Sequence, residues 1–275
     1  MRRTLTSTLA TAAAAVALAV GVAAPAAAIR YGEPDGDGHP YVGLMVADDA
    51  AGNPMWRCSG TLVSPTVFVT AGHCTYGAAG ATIWFESDLS DPAVAAALGY
   101  PYGGPTSVDG VPYTHPEFDD NAFYLHDLGV VVLDQPVAMA SYGSLPEQGL
   151  FDSLLAAGGK HMTDFTAVGY GLQRNMPAQT GLTEAAKIRL TATLSIINSD
   201  AAFGEHKAGN SVLFTNNASG GGTCNGDSGG PIFVEGTSTI AAVTSYGVNA
   251  RCAGTGGGYR IDQPDDLAFL AQFVS

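Results

Sequence analysis

Three short stretches of this 275-residue chain carry side chains suited to covalent catalysis. Gly226-Asp227-Ser228-Gly229-Gly230-Pro231 sets a serine in a glycine-dense turn, where backbone N–H groups can approach a substrate closely. Thr70-Ala71-Gly72-His73-Cys74 ends an apolar run on a histidine beside a cysteine. An imidazole titrating at about pH 6.5 is the natural proton shuttle at neutral pH. Asp127-Leu128-Gly129-Val130-Val131-Val132-Leu133 places a carboxylate at the mouth of a strongly apolar strand, where a charge is tolerated only if it is hydrogen-bonded. Hydrolysis by serine needs a hydroxyl beside a base, a group that fixes the base's tautomer, and donors aimed at the developing oxyanion. The residues fit those parts: Ser228 as nucleophile, His73 as general base, Asp127 as its orienting group, and the amides of Gly226 and Ser228 as the oxyanion hole.

Residues so far apart in the chain need a scaffold that folds back on itself. From Val42 onward, short β-branched and aromatic runs alternate with Gly, Pro, Asn and Asp, the pattern of antiparallel strands with tight connections. In the first half the pattern predicts strands at Val42 to Val46, Gly60 to Val63, Val67 to Thr70, Thr82 to Phe85 and Gly129 to Leu133. In the second it predicts Phe165 to Tyr170, Lys187 to Ile196, Val212 to Thr215, Pro231 to Val234 and Ile240 to Tyr246. The looser stretch Gln135 to Gly159 reads as a linker with a helical turn at Leu154 to Ala157, and Ser87 to Gly110 as a surface insertion. Asp262 to Val274, with acids near its start and Leu267, Leu270 and Val274 at helical spacing, reads as a short closing helix. The expected fold is all-β, two packed β-barrels with a cleft between them. The expected division is residues 29–145, bearing His73 and Asp127, and residues 146–275, bearing Ser228.

Met1-Arg2-Arg3, the alanine-rich apolar run Leu9 to Ala23 and Ala26-Ala27-Ala28 read as an export signal over residues 1–28, and hence as a secreted protein. No segment offers the roughly 18 to 20 apolar residues of a membrane helix. Removal of the leader leaves 247 residues and takes away two arginines and no acid, so the net charge moves from −14 to −16. That acidity argues against a nucleic-acid or anionic-membrane partner. Four cysteines without CxxC spacing suggest two disulfides. Three pairings are open, and Cys58 with Cys74 and Cys224 with Cys252 is favoured because each closes a short loop within one half. No cofactor is expected and no calcium or zinc constellation stands out, although Glu117 to Asp120 leaves adventitious calcium open. His39, His115, His126, His161 and His206 are expected to be structural, with His126 a solvated neighbour of Asp127. The sequon at Asn217-Ala218-Ser219 carries no functional weight.

Cys58 to Cys74 (CSGTLVSPTVFVTAGHC), Asp127 to Leu133 (DLGVVVL) and Gly226 to Pro231 (GDSGGP) resemble, in the same order, the three catalytic signatures of chymotrypsin/trypsin-like serine proteases. Phe165 to Gly171 and Ser245-Tyr246-Gly247 extend the likeness over nearly the whole mature chain. The resemblance implies a double six-stranded antiparallel β-barrel, endopeptidase activity on protein or peptide substrates, and the disulfide pairing favoured above; a monomer is expected, though the sequence says little about oligomeric state. The resemblance implies also that the Ile29 amine, exposed by signal peptidase, pairs with Asp227, though no basic residue precedes Ile29 as in animal zymogens. By the same likeness Gly222 forms the base of the primary pocket, with Ser245, Tyr246, Gly247 and Gly257 around it. That describes an open, uncharged pocket for large apolar or aromatic side chains rather than Arg or Lys.

Competing readings are weaker. Gly226 to Gly230 also fits the GxSxG elbow of α/β-hydrolases, but that fold needs a histidine after the serine and none follows His206. A subtilisin-like order would need an aspartate ahead of His73, and Asp35, Asp37, Asp48 and Asp49 sit in no supporting motif. The remaining alternative is a protease-shaped binding module that has lost turnover.

Overall fold

The structure, a computed structural model, describes residues 29–122, 124–158, 164–173, 187–203, 206–207, 210–249 and 251–274. The expected leader and His161 therefore lie outside the described residues, as does the side chain of His206. A two-residue strand β1 (Glu33–Pro34) opens the chain. The first barrel follows, from β2 (Val42–Asp48), β3 (Pro54–Ser64), β4 (Val67–Thr70), β5 (Gly80–Trp84), β6 (Val108–Thr114) and β7 (Gly129–Leu133), closed in the order β2-β3-β4-β7-β6-β5. Helices α1 (Gly72–Thr75) and α2 (Pro92–Ala97) lie between its strands, and α3 (Leu150–Gly158) links the barrels. The second barrel takes β8 (Asp164–Gly169), β9 (Leu190–Asn198), β12 (Ser211–Asn216), β13 (Pro231–Val234), β14 (Ile240–Gly247) and β15 (Gly254–Arg260), ordered β9-β12-β15-β14-β13-β8 and closed by β8 against β9. Between β9 and β12, β10 (Ala202–Phe203) and β11 (His206–Lys207) form a small hairpin, and α4 (Pro264–Leu270) ends the fold.

The first and last described segments each cross to the opposite barrel. β1 pairs with β9, and Ile29 is fully buried in the second core among Phe165, Leu190, Ala192 and Phe214. α4 instead drives Phe269 and Leu270 into the first core. Arg189, 1% exposed, fastens the junction: its guanidinium donates to the carbonyls of Val42 and Phe85 and to Tyr170 Oη, and its Nε lies 2.9 Å from Asp35 Oδ2. A buried charge is held stably only with such a full set of partners.

Ten of the strands match those read from the alternating pattern, with ends shifted by a few residues. Three features do not. Ser87 to Gly110 is more than a surface insertion, because it holds α2 and the start of β6, and buries Leu89 and Ala95. The helical turn expected at Leu154 to Ala157 is a longer helix, Leu150–Gly158. β15 carries four glycines in GTGGGYR and gave no strand signal by composition. Its glycines are demanded by packing: a Cβ on Gly257 would enter the Tyr246 ring, and one on Gly258 would meet Phe214.

Candidate active site

Asp127 is fully buried one residue before Leu128, at the foot of β7. An unpaired carboxylate there would be costly. Its oxygens accept the His73 backbone N–H at 2.9 Å, the His73 Nδ1–H at 3.0 and 3.1 Å, and the Ser245 hydroxyl at 2.5 Å. His73 stands on α1, which the Cys58–Cys74 disulfide ties to β3. With Nδ1 donating to Asp127, the neutral ring leaves Nε2 as a free base. Burial alone would lower the His73 pKa, but the charge and hydrogen bond of Asp127, with a smaller contribution from Asp120, hold it above the ordinary imidazole value.

Ser228 comes from the turn between Cys224 and β13. His73 and Ser228 line one cavity of about 250 Å³, together with Thr223, Asn225, Ser245, Tyr246 and Gly247. No hydrogen bond joins the His73 ring to the Ser228 hydroxyl among the described residues; such bonds often tighten only when substrate binds. The turn itself is fixed from the first barrel: Ser59 N–H donates to Ser228 O at 2.8 Å, and Ser59 Oγ donates to Gly226 O at 2.9 Å. Gly226 and Gly229 have φ of +93° and +76°, which glycine adopts without strain. Among the described residues the N–H groups of Gly226 and Ser228 find no acceptor. Amides without an acceptor are the kind of donor a developing oxyanion requires.

Asp227, between those two amides, is fully buried. Its carboxylate accepts Gly171 N–H at 2.7 Å and Cys224 N–H at 2.8 Å. Burial pushes its pKa up to about 7 against these bonds and the charge of Arg57. Arg30 pairs with Gly222 through two backbone bonds of 2.9 and 3.0 Å, which seats the segment starting at Ile29 on the second barrel. In the sequence Ile29 follows Ala28, so its nitrogen belongs to a peptide bond until the chain is cut.

The pocket needs correction. Gly222 does not line the cavity; it is held by Arg30, and a Cβ there would meet the buried Asn216 side chain. Gly257 lies under the Tyr246 ring, and Gly256 is the residue paired with Gly247 across the ladder. Asn216, unforeseen in the sequence, donates from Nδ2 to Thr223 O at 2.7 Å while its Oδ1 is buried without a partner. Ser245 lines the cavity, but its hydroxyl serves Asp127. No carboxylate lines the pocket among the described residues.

The other candidates separate cleanly. Asp35, considered as an alternative acid, binds Arg189 and His39 rather than His73. His115 is buried as a structural histidine would be, whereas His126 is only 18% exposed and sits between Glu117 and Asp265, which corrects its reading as a solvated neighbour. The disulfides Cys58–Cys74 and Cys224–Cys252 are those favoured from the sequence.

Comparison with known proteins agrees with this architecture. The family model described as Trypsin matches residues 35–263. Trypsin of Saccharopolyspora erythraea is 29% identical over 225 residues, covering 80% of this chain and 87% of that one. Brachyurin of Leptuca pugilator is 26% identical over 213 residues, covering 78% and 83%. A solved HL collagenase superposes with a TM-score of 0.66 at 17% identity over 90% of this chain and all of its own. Human heparin binding protein gives 0.63 at 17%, over 90% and 98%. The structural likenesses speak for the fold, and the family match extends to the chemistry: this chain belongs to the trypsin family and is a serine-type endopeptidase.

Proposed function

We propose that the chain is a secreted endopeptidase that works through Ser228, His73 and Asp127. The supporting observation is the buried Asp127 carboxylate, which gathers the His73 ring, the His73 backbone and Ser245 while His73 shares a cavity with Ser228. Ser228 Oγ attacks the scissile carbonyl carbon as its proton passes to His73 Nε2. The carbonyl oxygen, now negative, is received by the amides of Gly226 and Ser228. His73 then returns the proton to the departing amine, leaving an acyl group on Ser228. Water, activated by His73 in the same way, releases it. Asp127 stays ionised, stabilising the imidazolium and fixing its tautomer.

Release of the Ile29 amine beside Asp227 is the proposed activation step. The position of Arg30 against Gly222 and the raised Asp227 pKa favour it, since an ammonium would compensate a buried carboxylate. The lining without carboxylates supports cleavage after apolar or aromatic residues in preference to Arg or Lys. Among the described residues no helix is long and apolar enough to cross a membrane. A polyanion-binding role on the same fold is disfavoured by the net charge of −14.

Peptide substrates carrying Phe, Leu, Ala or Arg at the cleaved position test the assignment. Turnover with Phe or Leu that disappears in Ser228→Ala is expected. Turnover unchanged in Ser228→Ala refutes the nucleophile, and a strong Arg preference refutes the pocket reading alone. N-terminal sequencing of the active protein should begin at Ile29; full activity with a start well downstream discards the activation step.

A further inference from the structure

Behind the triad aspartate lies a second cluster of titratable side chains that takes no part in the chemistry above. His115 follows β6 and His126 precedes Asp127; their imidazoles stack with centroids 4.9 Å apart and planes within 11°. The first turn of α4 brings two carboxylates against them. His126 Nδ1 lies 3.2 Å from Asp265 Oδ2, and His115 Nε2 lies 3.9 Å from Asp266 Oδ1. One donor atom from each of these four residues lies within 4.8 Å of every other.

Contacts within the protein satisfy this group incompletely. His126 Nδ1 is buried and makes no hydrogen bond, despite its nearby carboxylate. Asp266 is fully buried, with the Tyr259 hydroxyl as donor at 3.0 Å and Asp265 and Glu117 among its charged neighbours. Glu117 faces His126 Nε2 at 3.2 Å. The His126 backbone is held at φ +52°, a conformation non-glycine residues seldom adopt. Four ligands from three separate segments thus converge on one point, two of them imidazole and two carboxylate.

We propose that His115, His126, Asp265 and Asp266 bind a divalent transition cation of the Zn²⁺ class. Two imidazole nitrogens with carboxylate oxygens suit zinc and its first-row neighbours, whereas calcium and magnesium take oxygen ligands. Bonds of about 2.0–2.2 Å in a tetrahedron put ligand atoms roughly 3.4 Å apart. The cluster must therefore tighten by about an ångström or so, and the exposed Asp265 and half-buried His126 are the members free to move. Coordination through His115 Nε2 leaves the ring proton on Nδ1, so the Glu117 N–H, now 3.2 Å from that atom, must turn away. The bound cation would join α4 to the segment one residue from Asp127.

The test uses the whole protein, stripped of metal and titrated with Co²⁺ and then Zn²⁺ at pH 7.5. One equivalent of Co²⁺ should bind with the visible absorption of a four-coordinate site, and Zn²⁺ should displace it. Zn²⁺ at 100 times its Kd should raise the Tm by about 5–10 °C, and Ca²⁺ should not. The spectrum should survive His73→Ala, which removes the triad imidazole, and vanish in His126→Gln and in the solvent-exposed variant Asp265→Asn. Absence of a stoichiometric spectrum, or a spectrum lost in His73→Ala and kept in His126→Gln, overturns the site and leaves a proton-bridged ion-pair cluster. Because the readout is metal binding rather than turnover, that failure leaves the protease assignment untouched.

Discussion

The two barrels solve different problems with different amino acids. The first presents His73 and Asp127 from regular elements: β4 and β7 pair in register over Val67 to Thr70, and α1 follows directly, pinned by a disulfide. The second presents Ser228, the proposed oxyanion amides and the pocket from turns and from the end of β14. An acid–base pair needs a fixed direction, which stiff apolar strands supply. A nucleophile and its oxyanion donors need backbone to approach substrate, which calls for residues without side chains. On the proposed mechanism the molecule keeps its proton chemistry on the half built from regular strands and its substrate contacts on the half built from turns.

The sharpest way to break this division is to alter the fixed half. Asp127→Asn should leave the fold intact and lower kcat/KM by roughly 10⁴-fold, because His73 would lose its tautomer control. A loss under tenfold in a peptide assay would mean that Asp127 only fills space. Arg189→Met probes the seam between barrels. Breaking a buried ion pair costs about 3–5 kcal/mol, so chemical denaturation should show a loss of that size, and a change below 1 kcal/mol would mean the barrels are held by packing alone. Replacing Cys58 and Cys74 by serine releases a loop of 16 residues and should cost about 3 kcal/mol. Activity should fall with it, whereas loss of Cys224–Cys252 should act first on KM through the pocket wall at Cys252.

Two pH effects follow from the buried acids. His73 carries a raised pKa because Asp127 outweighs burial, so the rise of kcat/KM with pH should have its midpoint above about 6.5. In Asp127→Asn burial is opposed only by the smaller contribution of Asp120, and the midpoint should move down. Asp227 titrates near 7 in the uncleaved chain, well above the ordinary aspartate value. The folded state then binds more protons than the unfolded one between about pH 4 and 7, and stability falls as pH rises through that window. A free Ile29 amine would compensate the charge. Protein starting at Ile29 should therefore melt several degrees above protein with residues added ahead of Ile29 at pH 7.5, and the gap should close near pH 4; equal melting at both values contradicts the pairing. The smallest expected effect is in Ser245→Ala, which removes one of three donors to Asp127 and should cost about tenfold in kcat at unchanged KM.

Legibility in the sequence followed the same division. β4 and β7 announce themselves because VFVT and GVVVL are β-branched and apolar and must be buried. The three proposed catalytic residues stood out because each sits in a local motif. β15 was not, since its glycines answer to Tyr246 and Phe214 across the sheet rather than to strand propensity. Ser59 and Asn216 gave no signal of their roles either: one clamps the turn that carries Ser228 from 167 residues away, and the other, at the end of β12, is buried against Thr223 seven residues on. The histidine–aspartate cluster escaped for the same reason, because its ligands at 115, 126, 265 and 266 share no spacing.

The proposed convergence of the two barrels on one reactive hydroxyl can be measured directly by treating the purified protein with a fluorophosphonate and mapping the adduct by mass spectrometry. The account predicts one phosphonyl group per chain, on Ser228, formed far more slowly in His73→Ala. A protein that stays unmodified, or an adduct on another residue with Ser228 bare, would contradict it.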